Sequence, residues 1–164
     1  MSNFVILSID ASLSSSGWCV CDEKFNLIKV GKIQTEKTTD KRYLYIYNEY
    51  KKLFKKYKPT IVKMEDGFCG VNLKAGLQLA EVRGLIKTLA DKYNATLYTY
   101  PPQSIKKAIA GSGKATKEDV YNTLCKIYTD SKIYQSIGEF CSKSGKNKTE
   151  DIYDSISIAR MQTT

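Results

Sequence analysis

Residues 5–10 read VILSID, a short apolar run that is interrupted only by Ser8 and ends on a carboxylate. A strand with apolar side chains on both faces belongs in the middle of a sheet that is covered on both sides. That one segment already points to a layered α/β domain. It also delivers a lone acid, Asp10, into a loop of small and hydroxyl residues that runs from Ala11 to Gly17.

The remaining elements follow from periodicity and punctuation. Residues 17–21 and 27–33 read as two more strands, joined by the turn DEKFN, so the first three strands form an antiparallel meander. Helical spacing begins near Glu36 and runs to Lys58, where Pro59 stops it. TIVKMED, residues 60–66, is a fourth strand with Glu65 near its end. Residues 71–93 carry one apolar stripe (Val71, Ala75, Leu79, Val82, Ile86, Leu89, Tyr93) and a second one, Leu73, Leu77, Ala80 and Gly84, on the opposite side. The second stripe calls for another helix, in this chain or in a second copy. Residues 95–100 are a fifth strand, followed by a short helix to about Ala110. A further helix opens on Thr116-x-x-Asp119 and runs to about Lys126. Residues 129–148 show no clear element, and a last helix covers roughly 149–162. With 164 residues, no repeat and no linker, the expectation is a single domain spanning 1–164.

Composition narrows the chemistry. The chain has no histidine, which excludes a histidine base, a Ser–His triad and a histidine-ligated metal. Five cysteines (Cys19, Cys21, Cys69, Cys125 and Cys141) at irregular spacing, with no C-x-x-C pair, read as free buried thiols. The N-terminus has no signal-peptide pattern and no run approaches a membrane span, so the expected location is the cytoplasm, with no membrane partner. The formal charge of +9 fits a polyanionic partner as well as it fits a solubility surplus.

Ligand sites of open α/β sheets lie beyond the carboxyl ends of the strands. Asp10 ends the first strand and Glu65 the fourth. If those strands are parallel neighbours, the two carboxylates converge. Asp151 and Asp154, three residues apart, share one face of the last helix. Each acid alone has an ordinary role, as a turn former, a solvated loop charge or a helix N-terminal charge. Four acids at one locus would repel one another. Without histidine, hard divalent cations bound by oxygen are the natural compensation. Two such ions stabilise the attacking and leaving oxygens of a phosphoryl displacement.

The segments LSIDASLSSSGWCV, VKMEDGFCGVNLKAGLQLAEVRGLI, SIKKAIAGSGKATKEDV and TEDIYDSISIAR, in this order and at this spacing, resemble the RuvC family of Holliday-junction resolving endonucleases. The resemblance implies a ribonuclease-H-like fold, with a mixed five-stranded sheet of three antiparallel strands followed by two parallel ones, flanked by helices. It implies that Asp10, Glu65, Asp151 and Asp154 are catalytic and bind two Mg²⁺ ions, with Mn²⁺ able to substitute, and that no small-molecule cofactor is needed. Lys117 and Lys106 match basic residues beside the family's active site, and Lys117 is the better match for a contact to the scissile phosphate. Lys107 and Lys114 are further candidates for DNA phosphates. Phe68 matches an aromatic residue that the family stacks on bases at the crossover. The implied partners are four-way and branched DNA and a second copy of the chain. The implied products are 5′-phosphate and 3′-hydroxyl ends at paired nicks.

One departure touches the site. Ala11-Ser12 stands where bacterial members have Pro-Gly. The Lys, Asn, Ile and Tyr bias points to an AT-rich genome, such as that of a phage of a low-GC bacterium. Two rivals remain in view. A non-catalytic branched-DNA-binding protein on the same fold would keep the basic surface without needing the acids. Actin-like sugar kinases open on a similar strand and loop but are far longer.

Overall fold

The computed structural model describes residues 4–67, 72–137 and 149–163. Its centre is a five-stranded sheet built from β1 (Ile6–Asp10), β2 (Ser15–Cys21), β3 (Leu27–Gln34), β4 (Ile61–Glu65) and β5 (Thr96–Tyr100), in the spatial order β3-β2-β1-β4-β5. β1 pairs antiparallel with β2, and β2 antiparallel with β3. β1 pairs parallel with β4, and β4 parallel with β5. The mixed sheet is the one expected from the sequence, and the doubly apolar strand lies at its middle.

Helices α1 (Arg42–Tyr57) and α2 (Leu73–Lys92) cover one face. There Leu7, Ile9, Val62 and Met64 meet Ile46, Tyr50, Phe54, Val82, Ile86 and Leu89 in one continuous core. Each such side chain, fully buried, stabilises the fold by about 1.5–3 kcal/mol. The other face carries α3 (Pro102–Ala110), α4 (Lys117–Ile127), the single turn α5 (Lys132–Gln135) and α6 (Glu150–Ala159). Ile6, Cys19 and Cys21 face Leu124, Tyr153 and Ile156 there. Cys19, Cys21 and Cys125 are free thiols, while Cys69 and Cys141 lie outside the described residues.

Several limits differ from the sequence expectation, and β2 starts at Ser15, so that the loop after Asp10 is shorter than read. α1 starts at Arg42, not near Glu36, because Glu36 and Thr39 close a turn on each other and Lys41 takes a left-handed conformation at φ 49°. α5 interrupts a stretch that shows no periodicity. Ser131 caps it through Tyr134 N–H, and the buried Tyr134 stacks on Tyr128 with ring centroids 5.4 Å apart. α6 ends at Ala159, a few residues before the expected limit. The α4 capping box is present as read, with Thr116 and Asp119 exchanging hydrogen bonds.

Two polar side chains of β1 and β4 on the α6 side, Ser8 and Lys63, are answered by backbone carbonyls of α6 and of the residues just after it. Ser8 Oγ donates to the Ser155 carbonyl at 2.7 Å. Lys63, 1% exposed, donates through Nζ to the carbonyls of Ala159 at 2.9 Å and Met161 at 2.5 Å. At the other end of α6, Gly17 lets the helix lie directly on β2, since a Cβ there would stand 1.8 Å from the Asp151 carbonyl oxygen. Among the described residues no helix is long and apolar enough to cross a membrane.

The second stripe of α2 lies open. Leu73 is 65% and Leu77 56% exposed, Ala80 is also exposed, and a Cβ at Gly84 would meet nothing within 4 Å. Among the described residues no helix of this chain covers it.

Candidate active site

Parallel pairing puts Ile9 opposite Met64, so Asp10 and Glu65 leave adjacent strands at the same level. Adjacent strands are about 4.8 Å apart. Strand alternation aims both acids at the α6 side, in line with Ser8 and Lys63. α6 then brings Asp151 and Asp154 on its first two turns. The result is a cleft of about 360 Å³ lined by Asp10, Glu65, Asp151 and Asp154 together with Lys106 of α3 and Lys117 of α4.

The four acids have unequal surroundings. Burial, then the charges of Asp154, Asp151 and Glu65, push the Asp10 carboxyl well above its ordinary range, and Lys117 offsets this only in part. Glu65 is raised by burial and by Asp154, against the opposing pull of Lys117, Arg83 and Lys106. Asp154 is raised mainly by burial, with Lys117 pulling it back. Neither Asp10 nor Glu65 has an ion pair or a hydrogen-bond donor among the described residues. Asp151 is held through one oxygen, Oδ2, by Ser15 Oγ at 2.5 Å and Lys32 Nζ at 3.4 Å. Lys117, at the first position of α4, pairs with Glu150 and reaches Asp154 at 3.4 Å.

The donor set suits a hard divalent cation, because every candidate ligand atom is a carboxylate oxygen and no histidine or cysteine intrudes. Asp10, deeply buried, and Glu65 beside it have no cationic partner of their own, which is the deficit that such an ion would fill. Among the described residues, no three of these side chains already meet as a metal cage. The ammonium groups of Lys32 and Lys117 instead screen the rim.

Of the sequence candidates, the four acids, Lys106 and Lys117 share the cleft. Lys107 and Lys114 are exposed and lie outside its lining. Phe68 lies outside the described residues. Three further residues belong to the neighbourhood but were not anticipated. Ser15 and Lys32 hold Asp151, and Arg83 of α2 grips Asp66 at 2.9 Å, directly after Glu65. The hydroxyl residues after Asp10 are tied to one another, with Ser15 and Ser16 already in β2. Ser16 Oγ accepts from Ser12 N–H at 2.8 Å, donates to the Ser12 carbonyl at 2.6 Å and meets Tyr50 Oη at 2.6 Å. Arg42 braces the same loop from α1 through Ser14 and the Leu13 carbonyl.

The family model for the crossover junction endodeoxyribonuclease RuvC matches residues 6–136. The chain belongs to the RuvC family. A RuvC of Petrotoga mobilis is 36% identical over 125 residues, which are 73% of this chain and 77% of that protein. A RuvC of Caldicellulosiruptor saccharolyticus is 26% identical over 160 residues, 94% of this chain and 89% of that one. Among solved structures, the T. thermophilus RuvC in complex with Holliday junction substrate superposes with a TM-score of 0.74 at 19% identity, covering 95% of this chain and 90% of that one. At that identity the likeness speaks for a shared RuvC fold. The RuvC family match stops before α6, so the placing of Asp151 and Asp154 beside Asp10 rests on geometry.

Proposed function

We propose that this chain is a divalent-metal-dependent, structure-selective endonuclease. It resolves four-way DNA junctions, and other branched DNA, by paired nicks that leave 5′-phosphate and 3′-hydroxyl ends. The family and its named activity supply the substrate class. The observation that carries the chemistry is Asp10, a carboxylate at the end of the central strand, ringed by three other acids and given no cation of its own.

Asp10, Glu65, Asp151 and Asp154 would hold two Mg²⁺ ions, with Mn²⁺ as a substitute. When bound, such ions supply an activated water and a counter-charge for the leaving 3′ oxygen. The chain's own residues do the positioning. Ser15 and Lys32 keep the Asp151 carboxylate turned into the cleft. Lys117 is half-exposed on a long side chain, so it can exchange its carboxylate partners for the scissile phosphate when DNA arrives. Lys106 stands in the same cleft, within electrostatic reach of Glu65 and Asp154. Lys107 and Lys114, both exposed, would meet flanking phosphates, and Phe68 would stack at the crossover, where an aromatic ring contributes about 1–3 kcal/mol per base. Affinity for DNA should fall steeply as salt rises, because neutralised phosphates release counterions.

The open stripe of α2, with Leu73 and Leu77 at its centre, is the face through which two copies would associate. A two-fold dimer presents two identical clefts, which suits the approximate two-fold symmetry of a four-way junction. With such a substrate the protein would work in the cytoplasm of a bacterial or phage-infected cell.

The test is incubation of the purified chain with a labelled synthetic four-way junction, with and without Mg²⁺. The expected result is binding in both conditions and paired nicks with Mg²⁺ only. Binding without nicks at any Mg²⁺ or Mn²⁺ concentration would overturn the enzyme reading in favour of a branched-DNA-binding protein.

A further inference from the structure

We propose that Lys63 is a positioning residue for the acidic cleft. It holds the C-terminal end of α6 against the sheet and so sets where Asp151 and Asp154 stand opposite Asp10 and Glu65. The inference rests on the reading of that cleft as a metal-binding nuclease site.

A buried ammonium is a costly choice for a central strand. Its desolvation costs several kcal/mol unless the charge is fully hydrogen-bonded. Val62 and Met64, on either side, show what the rest of the strand uses. Lys63 is nevertheless 1% exposed and gives its charge to two carbonyls, those of Ala159 and Met161, at 2.9 and 2.5 Å. Its ammonium also lies 5.2 Å from the centre of the Phe25 ring.

The need for that charge comes from α6. The last carbonyls of any helix lack partners within it, and a cation at that end is favourable. α6 has no basic residue in its last turn, and its cap, Arg160, is right-handed, so no left-handed glycine closes the helix. The Ser157 and Ile158 carbonyls accept from the N–H groups of Arg160 and Met161, but that of Ala159, the last residue of α6, and that of Met161 just beyond it take a donor from elsewhere. β4 provides that donor.

The consequence for the cleft is mechanical. Ser8 pins the middle of the helix at Ser155, and Lys63 pins its end. Asp151 and Asp154 lie on the other side of the Ser8 pin, about 8–12 Å along the axis from Ala159. Lys63 therefore works at a distance from the reacting atoms. Releasing the end lets a short helix pivot about Ser155, which turns Asp154 beside the pivot and swings Asp151, about 6 Å along the axis from it. A misplacement of about 1 Å in such a site can cost about a hundredfold in rate.

The experiment uses the full chain and the variants Lys63→Met, Lys63→Gln and Asp10→Asn. Mn²⁺ binding to the DNA-free protein is measured by calorimetry, single-turnover nicking at saturating enzyme, and junction affinity in EDTA. For Lys63→Met the expected result is Mn²⁺ binding weakened about tenfold and nicking slowed about 10- to 100-fold, with junction affinity in EDTA within about twofold of the parent. Lys63→Gln, which keeps a donor, should fall between the two. A folded Lys63→Met that loses thermal stability alone, with parental Mn²⁺ affinity and nicking rate, would overturn the proposal. If Lys63→Met does not fold, Lys63→Gln decides by the same criteria. Loss of Mn²⁺ binding in Asp10→Asn combined with its retention in the Lys63 variants refutes only the role of Lys63. Parental Mn²⁺ binding by Asp10→Asn refutes the reading of the cleft itself.

Discussion

The two faces of β1 and β4 meet opposite demands with alternate residues of the same strands. Toward α1 and α2 they present Leu7, Ile9, Val62 and Met64, all in the apolar core. Toward α6 they present Ser8, Asp10, Lys63 and Glu65. The first face is held by area, which is non-directional and tolerates repacking. The second has an apolar core of its own and adds individual donors, Ser8 and Lys63, aimed at carbonyls in and just beyond α6, and it leaves two carboxylates without a donor. The difference teaches that one face makes the domain fold and the other spends part of that stability on a charged cleft.

The sharpest way to break this contrast is Asp10→Asn. Nicking of a four-way junction should fall by about a thousandfold, equivalent to about 4 kcal/mol of transition-state stabilisation. Junction binding should stay close to the parental value in a gel-shift assay. A variant that still cuts at an appreciable rate removes Asp10 from the chemistry.

On the opposite face, Phe54→Ala should cost about 3–5 kcal/mol in denaturant unfolding, by loss of buried area and creation of a cavity. At a temperature where the variant is still folded, nicking per folded molecule should be unchanged. Activity that falls further than the folded fraction would show that the two faces are coupled.

A smaller effect concerns pH in the metal-free protein. Asp10, Glu65 and Asp154 hold protons more tightly folded than unfolded. Unfolded carboxyls titrate near 3.9 to 4.3. From there up to the raised folded values, the unfolded chain has released protons that the folded chain retains, so these groups make stability fall as pH rises. Thermal melts without metal should show Asp10→Asn gaining on the parent as pH rises from about 4 to 8, by about 1–3 kcal/mol at the upper end. Saturating Mg²⁺ should close that gap. Parallel curves for the two proteins would mean that the cleft stores no such repulsion.

The smallest expected change is Ser15→Ala. It removes one hydrogen bond to Asp151 while leaving Lys32 in place. A loss of about 1 kcal/mol would slow nicking about three- to tenfold and leave the melting temperature nearly unchanged. A melting point that drops with no change in rate would reassign Ser15 to folding.

Much of this contrast could be read from residues alone, for a physical reason. Strand alternation and a carboxylate at a strand end are local features, so β1, β4, Asp10 and Glu65 were visible, as was the acidic pair at i and i+3 on the last helix. Lys63 stands in the strand segment TIVKMED without a signal of its own, because its purpose depends on acceptors 96 and 98 residues away. Ser15 and Lys32 gave no signal, because only the docking of α6 turns them toward Asp151. The start of α1 was misplaced because a charged run resembles a solvated helix face, while the turn made by Glu36 and Thr39 is a side-chain effect that periodicity does not register. α5 exists through aromatic packing of Tyr134 on Tyr128 and Tyr153, which no local pattern encodes.

α6, which closes the cleft, is made well after Asp10 and Glu65. A growing polypeptide on the ribosome therefore holds two of the four cleft acids until Asp151 and then Asp154 have been added. On the proposed reading, a nascent copy that stops short of α6 would meet DNA without the full set of carboxylates, and so would bind without cutting.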